Sequence, residues 1–194
     1  MSEAFEQTFS QLPEQGWLAR DEAWLLWSRA AFATGDVLEI GTYHGRSAYL
    51  LASALRHSRD VGNVPRRTLF CCDPFLEGFD GVNTPGQREI ILSAVGSLCA
   101  GPLAPHVSLC WQTEEALRKS WRSEWRLSLV YIDGDHSYEG TFGALKRWAP
   151  MADAVALHDY GMCKSFEGVE RAARDYGLGA PLQRAGSMAL FHGA

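Results

Sequence analysis

The stretch Asp36-Val-Leu-Glu-Ile-Gly-Thr-Tyr-His-Gly-Arg-Ser-Ala-Tyr-Leu-Leu51 decides the fold of this chain. It opens with a short apolar run, turns at Gly41, and has a second glycine at Gly45. The apolar residues that follow recur at helical spacing: Ala48, Leu50, Leu51, Ala54 and Leu55. Strand, glycine-bearing turn and helix predict the first βα unit of a nucleotide-binding α/β sheet. Because Gly41 has no Cβ, a ligand is expected to approach the backbone there, and the helix N-terminus favours a negative group.

Two residues of this glycine-bearing segment argue against dinucleotide binding. A dinucleotide loop reads G-x-G-x-x-G, but Tyr43 and Arg46 stand where the second and third glycines belong. Tyr43 removes the close approach that a pyrophosphate needs, which disfavours NAD. Glu39 is costly at the end of a buried strand unless a polar partner, such as a cationic amino group, meets it. A tight turn that binds no ligand is the simpler alternative.

Length and composition limit the class of protein. The length of 194 residues predicts one domain, with an N-terminal helical arm over residues 1–35 and a core over 36–194. A net charge of −5 argues against nucleic acid and anionic membranes as partners. Five cysteines without a C-x-x-C pair indicate reduced thiols in the cytoplasm. No apolar stretch reaches transmembrane length, and the first residues lack the basic start of a signal peptide.

The segments around the first βα unit follow the same α/β pattern. We expect a polar arm to about residue 15, and then one helix over residues 17–33. The aromatic residues of that helix either cover one edge of the sheet or form the roof of the acceptor pocket. Residues 56–67, with four arginines, are interpreted as a solvated loop. Helices over 86–100, 113–121 and 166–176 and a terminal hairpin over 181–192 complete the pattern.

Asp73 ends a second predicted strand, residues 68–73. In an adenosine-binding sheet, an acid at this position hydrogen-bonds the ribose hydroxyls. The interval from Glu39 exceeds the roughly 20 residues of dinucleotide folds, and the long loop between them accounts for the excess. The alternative is that Asp73 caps a turn with Pro74.

Two further strands end in ionisable residues. The segment Leu-Ser-Leu-Val-Tyr-Ile over 127–132 and the segment Ala-Val-Ala-Leu over 154–157 are both apolar. The polar residues that follow them are Asp133, Asp135, His136, His158 and Asp159. Carboxyl ends of parallel strands meet at one edge, and adjacent strands lie about 4.8 Å apart. If these two strands are neighbours, Asp133 and Asp159 reach one cation, and their oxygens suit Mg²⁺.

Three segments taken together resemble a known family. They are Leu-Glu-Ile-Gly-Thr-Tyr-His-Gly-Arg-Ser at 38–47, Ile-Asp-Gly-Asp-His-Ser-Tyr-Glu at 132–139, and His-Asp-Tyr at 158–160. Over residues 36–176 the chain resembles class I S-adenosylmethionine-dependent methyltransferases, in the metal-dependent branch that acts on small-molecule hydroxyls and includes sugar O-methyltransferases of antibiotic pathways. The resemblance implies a Rossmann-like α/β fold: a seven-stranded, mostly parallel sheet of order 3-2-1-4-5-7-6, with helices on both faces and a C-terminal antiparallel hairpin.

The resemblance also implies cofactor contacts and a metal centre. Glu39 and the glycine turn would hold the methionine end of S-adenosylmethionine. The turn after a third predicted strand, residues 106–111, would lie beside the adenine. The expected cofactor contacts are Glu39, Gly41, Tyr43, Gly45, Ser47, Asp73, Trp111, Gln112, Thr113 and Asp133. The expected metal ligands are Asp133 and Asp159. His158 stands where many relatives carry a second acid, so it is either a third ligand or a group that orients the ligands.

The implied reaction is methyl transfer from a sulfonium to a hydroxyl oxygen. A divalent metal would lower the pKa of the hydroxyl, and a base would take its proton. Asp135 and His136 are the candidate bases, and hydrogen bonding within the loop is the alternative for both. A metal-independent methyltransferase of the same fold and a non-methylating adenosine- or dinucleotide-binding protein remain alternatives. Since the chain has few insertions to cap a substrate, we expect a second subunit of a homo-oligomer to complete the pocket.

Overall fold

The computed structural model describes residues 1–62, 65–75, 86–100, 104–122 and 124–193. Seven strands form one sheet: β1 (Asp36–Ile40), β2 (Thr68–Cys72), β3 (His106–Cys110), β4 (Leu127–Ile132), β5 (Ala154–Leu157), β6 (Gln183–Ala185) and β7 (Met188–His192). Their order is β3-β2-β1-β4-β5-β7-β6. β7 pairs antiparallel with β5 and β6, and the other pairings are parallel. The predicted fold class and strand order are therefore confirmed.

Helices cover both faces of the sheet. They are α1 (Glu3–Ser10), α2 (Arg20–Ala31), α3 (Arg46–Gly62), α4 (Gln87–Gly96), α5 (Glu114–Ser120), α6 (Tyr138–Trp148) and α7 (Glu167–Tyr176). The core residues of α1 to α4 belong to one hydrophobic cluster and those of α5 to α7 to another. Successive strand residues point to opposite faces, so Val37 enters the first cluster and Leu38 the second. β4 is buried along its whole length, as expected for a central parallel strand.

The N-terminal segment differs from the sequence-based expectation. The expected polar arm contains α1, in which Ser2 caps the helix and Phe5 is fully buried. The second helix begins at Arg20 rather than at residue 17, because Ala19 is extended and its N–H donates to the side chain of Glu22 at the start of the helix. Trp24 and Trp27 stack on each other, and both contact Phe5 by their ring edges. Trp24 and Trp27 of α2 therefore pack in the hydrophobic core, whereas Trp17, which precedes the helix, and Phe32, which follows it, are exposed.

The arginine-rich segment is not a loop throughout. α3 continues to Gly62, so most of the expected loop over 56–67 is helical. Arg67 is buried, and its guanidinium donates to the carbonyl oxygens of Ala33 and Leu55 and to the hydroxyl of Ser58. Its guanidinium therefore satisfies one acceptor just beyond the end of α2 and two acceptors within α3. The glycines and aromatic residues of segment 74–85 predict a loop, and residues 75–83 are expected to contribute to acceptor specificity; residues 76–85 lie outside the described residues.

The register aligns the ends of the central strands. Ile40 of β1 lies beside Cys72 of β2 and Ile132 of β4, and Ile132 lies beside Leu157 of β5. The residues that leave these four strands therefore emerge at the same edge of the sheet. Within the described part of the chain, no helix is long and apolar enough to cross a membrane.

Candidate active site

Gly41 joins the ends of β1 and β4. It has φ +88°, and a Cβ at this position would lie 2.1 Å from the carbonyl oxygen of Asp133. The missing side chain therefore makes room for the neighbouring backbone, rather than for a ligand as expected from the sequence. Gly45, with φ +85°, has a similar role, since a Cβ there would lie 3.0 Å from Ile91 of α4. Both glycines shape the loop by allowing close packing.

Glu39 is a buried carboxylate whose oxygens lack a partner among the described residues. It is fully buried in β1, and neither of its oxygens accepts a hydrogen bond. Burial raises the pKa of Glu39 to about 7, and the nearby hydroxyls of Ser47 and Thr42 offset only part of that rise. Those hydroxyls lie close by without the distance and angle of a hydrogen bond. A buried acid in this condition costs free energy unless a cationic group meets it.

Asp73 links the first loop to the end of β2. Its Oδ2 accepts the N–H of Tyr43 at 3.0 Å, and its Oδ1 accepts the N–H of Phe75 at 2.8 Å. The second contact is the turn-capping role that was the alternative to ribose binding. Because each carboxylate oxygen has two lone pairs, capping does not prevent Asp73 from accepting ribose hydroxyls as well.

Tyr43 holds the loop in a left-handed conformation, with φ +48°. Its ring stacks on His44, with centroids 3.9 Å apart, and on the exposed Trp17 at 5.9 Å. Gln87 of α4 donates to the carbonyl oxygen of Tyr43 at 3.0 Å. Together with the hydrogen bond from Tyr43 to Asp73, contacts from three separate segments therefore fix the loop between β1 and α3.

The predicted adenine contacts lie at the end of β3. Trp111 is partly exposed, and the guanidinium of Arg88 lies 4.0 Å from the centre of its ring. Thr113 caps α5 by accepting the N–H of Ala116 at 3.3 Å, as predicted. Gln112 accepts a hydrogen bond from the thiol of Cys72 through its carbonyl oxygen. The indole face of Trp111 is thus the part of this turn suited to stacking on a base.

Two carboxylates and two imidazoles meet where β4 and β5 end. His136 Nε2 lies 3.2 Å from Asp133 Oδ1 and 3.3 Å from Asp159 Oδ2. His158 Nδ1 lies 3.2 Å and 3.5 Å from the same two oxygens. Tyr131 donates its hydroxyl to the other oxygen of Asp133 at 2.7 Å. We call Asp133, His136, His158 and Asp159 the acid–imidazole cluster.

The charges in the acid–imidazole cluster stabilise one another. Burial alone would raise the pKa of Asp133, but the charge of His158 and the hydrogen bond from His136 hold it at about 2. Burial lowers the pKa of His158, yet the charge of Asp133 and hydrogen bonds to acids outweigh this and raise it to about 12. For His136, Asp133 and Asp159 likewise outweigh burial and raise the pKa. Without a cation, these imidazoles neutralise the carboxylates.

Glu22 of α2 contacts the cluster from behind and was not anticipated from the sequence. Its Oε2 lies 3.4 Å from Nε2 of His158. Burial alone would raise the pKa of Glu22, but hydrogen bonds from His158, Ser187 and Ala19 lower it to about 2. Its position in the first turn of α2 suggests only a helix-capping role, so no local signal connects it with His158.

Asp135 does not join the acid–imidazole cluster. Its side chain is exposed and accepts the N–H of Ser137 at 2.8 Å. A Cβ on Gly140 would lie 2.2 Å from the carboxyl carbon of Asp135. The carboxylate therefore lies against the first turn of α6, where it stabilises the helix N-terminus. Of the two predicted bases, the structure brings only His136 to Asp133 and Asp159.

The residues present fit both of the groups implied by the family resemblance. The unpartnered carboxylate of Glu39 matches an ammonium group, which S-adenosylmethionine carries on its methionine end. Donor atoms of Asp133, His136 and Asp159 all lie within 4.8 Å of one another and are able to hold a metal ion. His136 was predicted as a base rather than as a ligand, while the predicted ligand His158 faces the same carboxylate oxygens from the buried side.

The fold and the site define a class I methyltransferase architecture. Residues 38–160 match the family described as Methyltransferase domain, and the chain belongs to that family. The matched segment contains most of β1, all of β2 to β5 and every residue of the acid–imidazole cluster.

Solved structures of three methyltransferases are similar to the whole chain. CalS11, a TDP-rhamnose 3'-O-methyltransferase of calicheamicin biosynthesis, is 17% identical with a TM-score of 0.60, covering 98% of this chain and 93% of its own. A putative O-methyltransferase from Klebsiella pneumoniae is 18% identical, with a TM-score of 0.55 and coverages of 100% and 91%. An O-methyltransferase from Bacillus cereus in complex with SAH is 15% identical, with a TM-score of 0.55 and coverages of 99% and 91%. At these identities the likeness concerns the fold.

Proposed function

We propose that this protein transfers a methyl group from S-adenosylmethionine to a hydroxyl oxygen of a small molecule, assisted by a divalent cation. The observation that carries the proposal is Glu39, a fully buried carboxylate without a hydrogen-bond partner among the described residues, at the end of β1. It lies in the strand before the glycine-bearing turn, where the family resemblance places the methionine end of the cofactor.

The chain's own residues account for the binding of the cofactor in two parts. Glu39 meets the ammonium group and Ser47, buried at the start of α3, meets the carboxylate. Asp73 and the turn that begins at Trp111 bind the ribose and the adenine. S-adenosylmethionine supplies an electrophilic methyl group on a sulfonium. Binding the ammonium against Glu39 relieves the unfavourable burial of that carboxylate.

The acid–imidazole cluster supplies the second half of the reaction. Asp133 and Asp159, together with an imidazole, would hold the divalent cation. Such a cation lowers the pKa of a bound hydroxyl, which makes the oxygen a better nucleophile. Neighbouring carboxylates at the carboxyl ends of β4 and β5 are suited to a hard or borderline ion.

His136 is the group that we assign to take the proton of the hydroxyl. Its ring is partly exposed, and Nε2 lies within 3.3 Å of both carboxylates. These carboxylates stabilise the imidazolium that forms when the neutral ring accepts a proton. Since only the neutral ring is a base, the proton that Asp133 and Asp159 stabilise on His136 in the metal-free protein has to leave before the ring accepts the proton of the hydroxyl.

Calorimetric titration with S-adenosylhomocysteine tests the cofactor half. We expect binding to metal-free protein and again in the presence of Mg²⁺, because Glu39 and Asp73 lie on strands other than those that carry the metal ligands. The substitution Glu39→Gln should weaken binding about 10- to 100-fold, the effect of losing a hydrogen bond between charged groups. Glu115→Gln, on the exposed face of α5, is the control and should change nothing. Binding of NAD in place of S-adenosylhomocysteine would overturn the proposal.

Removal of metal tests the second half. We expect release of S-adenosylhomocysteine, in the presence of a panel of sugar and catechol hydroxyls, to stop on chelation and to return when Mg²⁺ or Mn²⁺ is added. Transfer that is insensitive to chelation would support the metal-independent alternative instead.

Two further parts of the proposal concern the cellular location and the oligomeric state. We propose a cytoplasmic enzyme, supported by the five cysteines, all of which are free thiols. We also propose a homo-oligomer in which a second subunit completes the acceptor pocket. Sedimentation at assay concentration, with a clean monomer as the contrary result, tests the assembly.

A further inference from the structure

We propose that Glu22 is a positioning residue that makes His158 a metal ligand. In this proposal Glu22 accepts the Nε2–H of His158, so that the lone pair of Nδ1 faces the cation once the cation has displaced the Nδ1 proton between His158 and the two aspartates. The centre then takes a borderline transition ion such as Co²⁺ in preference to Mg²⁺. The inference deepens the proposed function, since it rests on a cation being held at the ends of β4 and β5.

The first step is the geometry of the His158 ring. Nε2 lies 3.4 Å from Oε2 of Glu22, while Nδ1 lies 3.2 Å from Oδ1 of Asp133 and 3.5 Å from Oδ2 of Asp159. A neutral imidazole carries one N–H, and the nitrogen opposite it is an acceptor and a metal ligand. When a cation replaces the Nδ1 proton and the remaining proton is on Nε2, facing Glu22, the lone pair of Nδ1 faces the position between Asp133 and Asp159.

The second step is that Glu22 cannot easily turn away. Its Oε1 accepts both the N–H and the hydroxyl of Ser187 at 2.7 Å, and its Oε2 also accepts the N–H of Ala19 at 2.8 Å. Gly186 has φ +53°, and a Cβ there would lie 2.5 Å from Oε1. The start of α2 and the turn between β6 and β7 therefore hold the carboxylate in place.

The third step is the set of donor atoms. Two aspartate oxygens alone suit Mg²⁺, but a fixed imidazole nitrogen favours the later divalent ions of the first transition row. A carboxylate on the far nitrogen of a ligating histidine fixes the tautomer and increases ligand basicity. Glu22 supplies that carboxylate from the N-terminal arm, outside the segment that matches the family.

The test uses Co²⁺ as the probe in protein carrying His136→Asn, which leaves His158 as the one imidazole of the acid–imidazole cluster. We expect Co²⁺ to bind with visible d–d absorption. We also expect a paramagnetically shifted proton resonance from the Nε2–H of His158 that exchanges slowly with solvent. Adding Glu22→Gln should weaken Co²⁺ binding about 10- to 100-fold, as for other groups that orient metal ligands, and should speed the exchange of that proton. The affinity for Mg²⁺, measured by competition with Co²⁺, should change less than the affinity for Co²⁺ on adding Glu22→Gln.

Ser187→Ala is the matched control, because it removes a hydrogen bond from the oxygen of Glu22 that does not face His158. It should weaken Co²⁺ binding much less than Glu22→Gln does, because the backbone N–H groups of Ser187 and Ala19 still hold the carboxylate. If Glu22→Gln does not fold, Glu22→Asp retains the charge but withdraws it from His158 and gives the same comparison. Absence of the shifted imidazole resonance, or equal losses in the Glu22 and Ser187 variants, would overturn the proposal.

The same samples separate this inference from the proposed function. Titration with S-adenosylhomocysteine reports on Glu39 and Asp73, not on His158. Protein that binds Co²⁺ as expected but no S-adenosylhomocysteine would contradict the proposed methyl transfer and leave the role of Glu22 standing. Protein that binds S-adenosylhomocysteine but shows no imidazole coordination would contradict the role of Glu22 alone.

Discussion

Two carboxylates at neighbouring strand ends, Glu39 of β1 and Asp133 after β4, have opposite surroundings. Glu39 has no hydrogen-bond partner among the described residues, and burial raises its pKa to about 7. Burial also acts on Asp133, but His158 and His136 hold its pKa at about 2. The protein itself neutralises one acid and leaves the other without a counter-charge.

The contrast indicates that the Glu39 half of the site depends on a ligand for its charge balance, whereas the Asp133 half does not. The imidazole protons already balance the carboxylates beside Asp133, and they hold the side chains in place. A cation that binds there therefore has to displace these protons. An ammonium group that binds beside Glu39 relieves a cost that folding left in place. The following predictions test the contrast, beginning with the largest expected effect.

Gly41→Ala should destabilise the fold most, because Gly41 is the contact between the two halves. The added Cβ would lie 2.1 Å from the Asp133 carbonyl oxygen at a residue with φ +88°. A left-handed alanine and an overpacked contact together cost about 3–5 kcal/mol. The measurement is the free energy of unfolding in urea. Gly177→Ala is the control, since Gly177 has φ +92° with nothing within 4 Å of its Cβ. Equal losses would show that close packing at Gly41 contributes nothing.

Asp133→Asn should destabilise the metal half by about 3 kcal/mol, the effect of removing one partner from a buried ion pair. His136 and His158 would then share Asp159 as the remaining carboxylate of the cluster. Urea unfolding at neutral pH is the measurement. The control is Asp153→Asn, because Asp153 forms an exposed ion pair with Arg126 at 3.8 Å, which should contribute less than about 1 kcal/mol. A loss at Asp133 no larger than at Asp153 would contradict the pairing.

Glu39 should make stability fall with rising pH. Its pKa of about 7 in the folded protein exceeds the ordinary value of 4.5, so the folded state binds more protons between these values. The free energy of unfolding contributed by Glu39 should fall by up to about 3 kcal/mol across that window and stay level above it. Comparing urea unfolding of the parent and Glu39→Gln across this range isolates the effect, with Glu115→Gln as the control. Parallel curves for the parent and Glu39→Gln would show that Glu39 titrates normally.

Asp135→Asn should have the smallest effect. Asparagine retains an oxygen to accept the N–H of Ser137, so stability should change by about 0.5 kcal/mol or less. Methyl transfer should stay within the same order of magnitude, whereas His136→Asn should lower it about 10²- to 10⁴-fold, as for loss of a general base. An equally large loss in Asp135→Asn would identify Asp135 as the base and reduce His136 to a partner of the carboxylates.

The sequence alone predicted the sheet and the edge at which the candidate site lies. Runs such as Leu127–Ile132 are mostly apolar, and each is followed by polar residues, so the strand ends could be recognised locally. Because carboxyl ends of parallel strands share an edge, Glu39, Asp73, Asp133 and Asp159 were predicted to lie there, and the register confirms that their strands end together.

The pairing of the side chains at that edge became visible only in the folded chain. Glu22 meets His158 across 136 positions of sequence, and Gly41 makes room for the backbone of Asp133. Local hydrophobic spacing reports which face of an element is buried, but not which distant polar group lies opposite. For the same reason Arg67 was interpreted as a solvated loop residue, although its partners lie just beyond the end of α2 and within α3. The direction and the partner of a buried charge depend on how the helices pack, and that is a property of the folded chain.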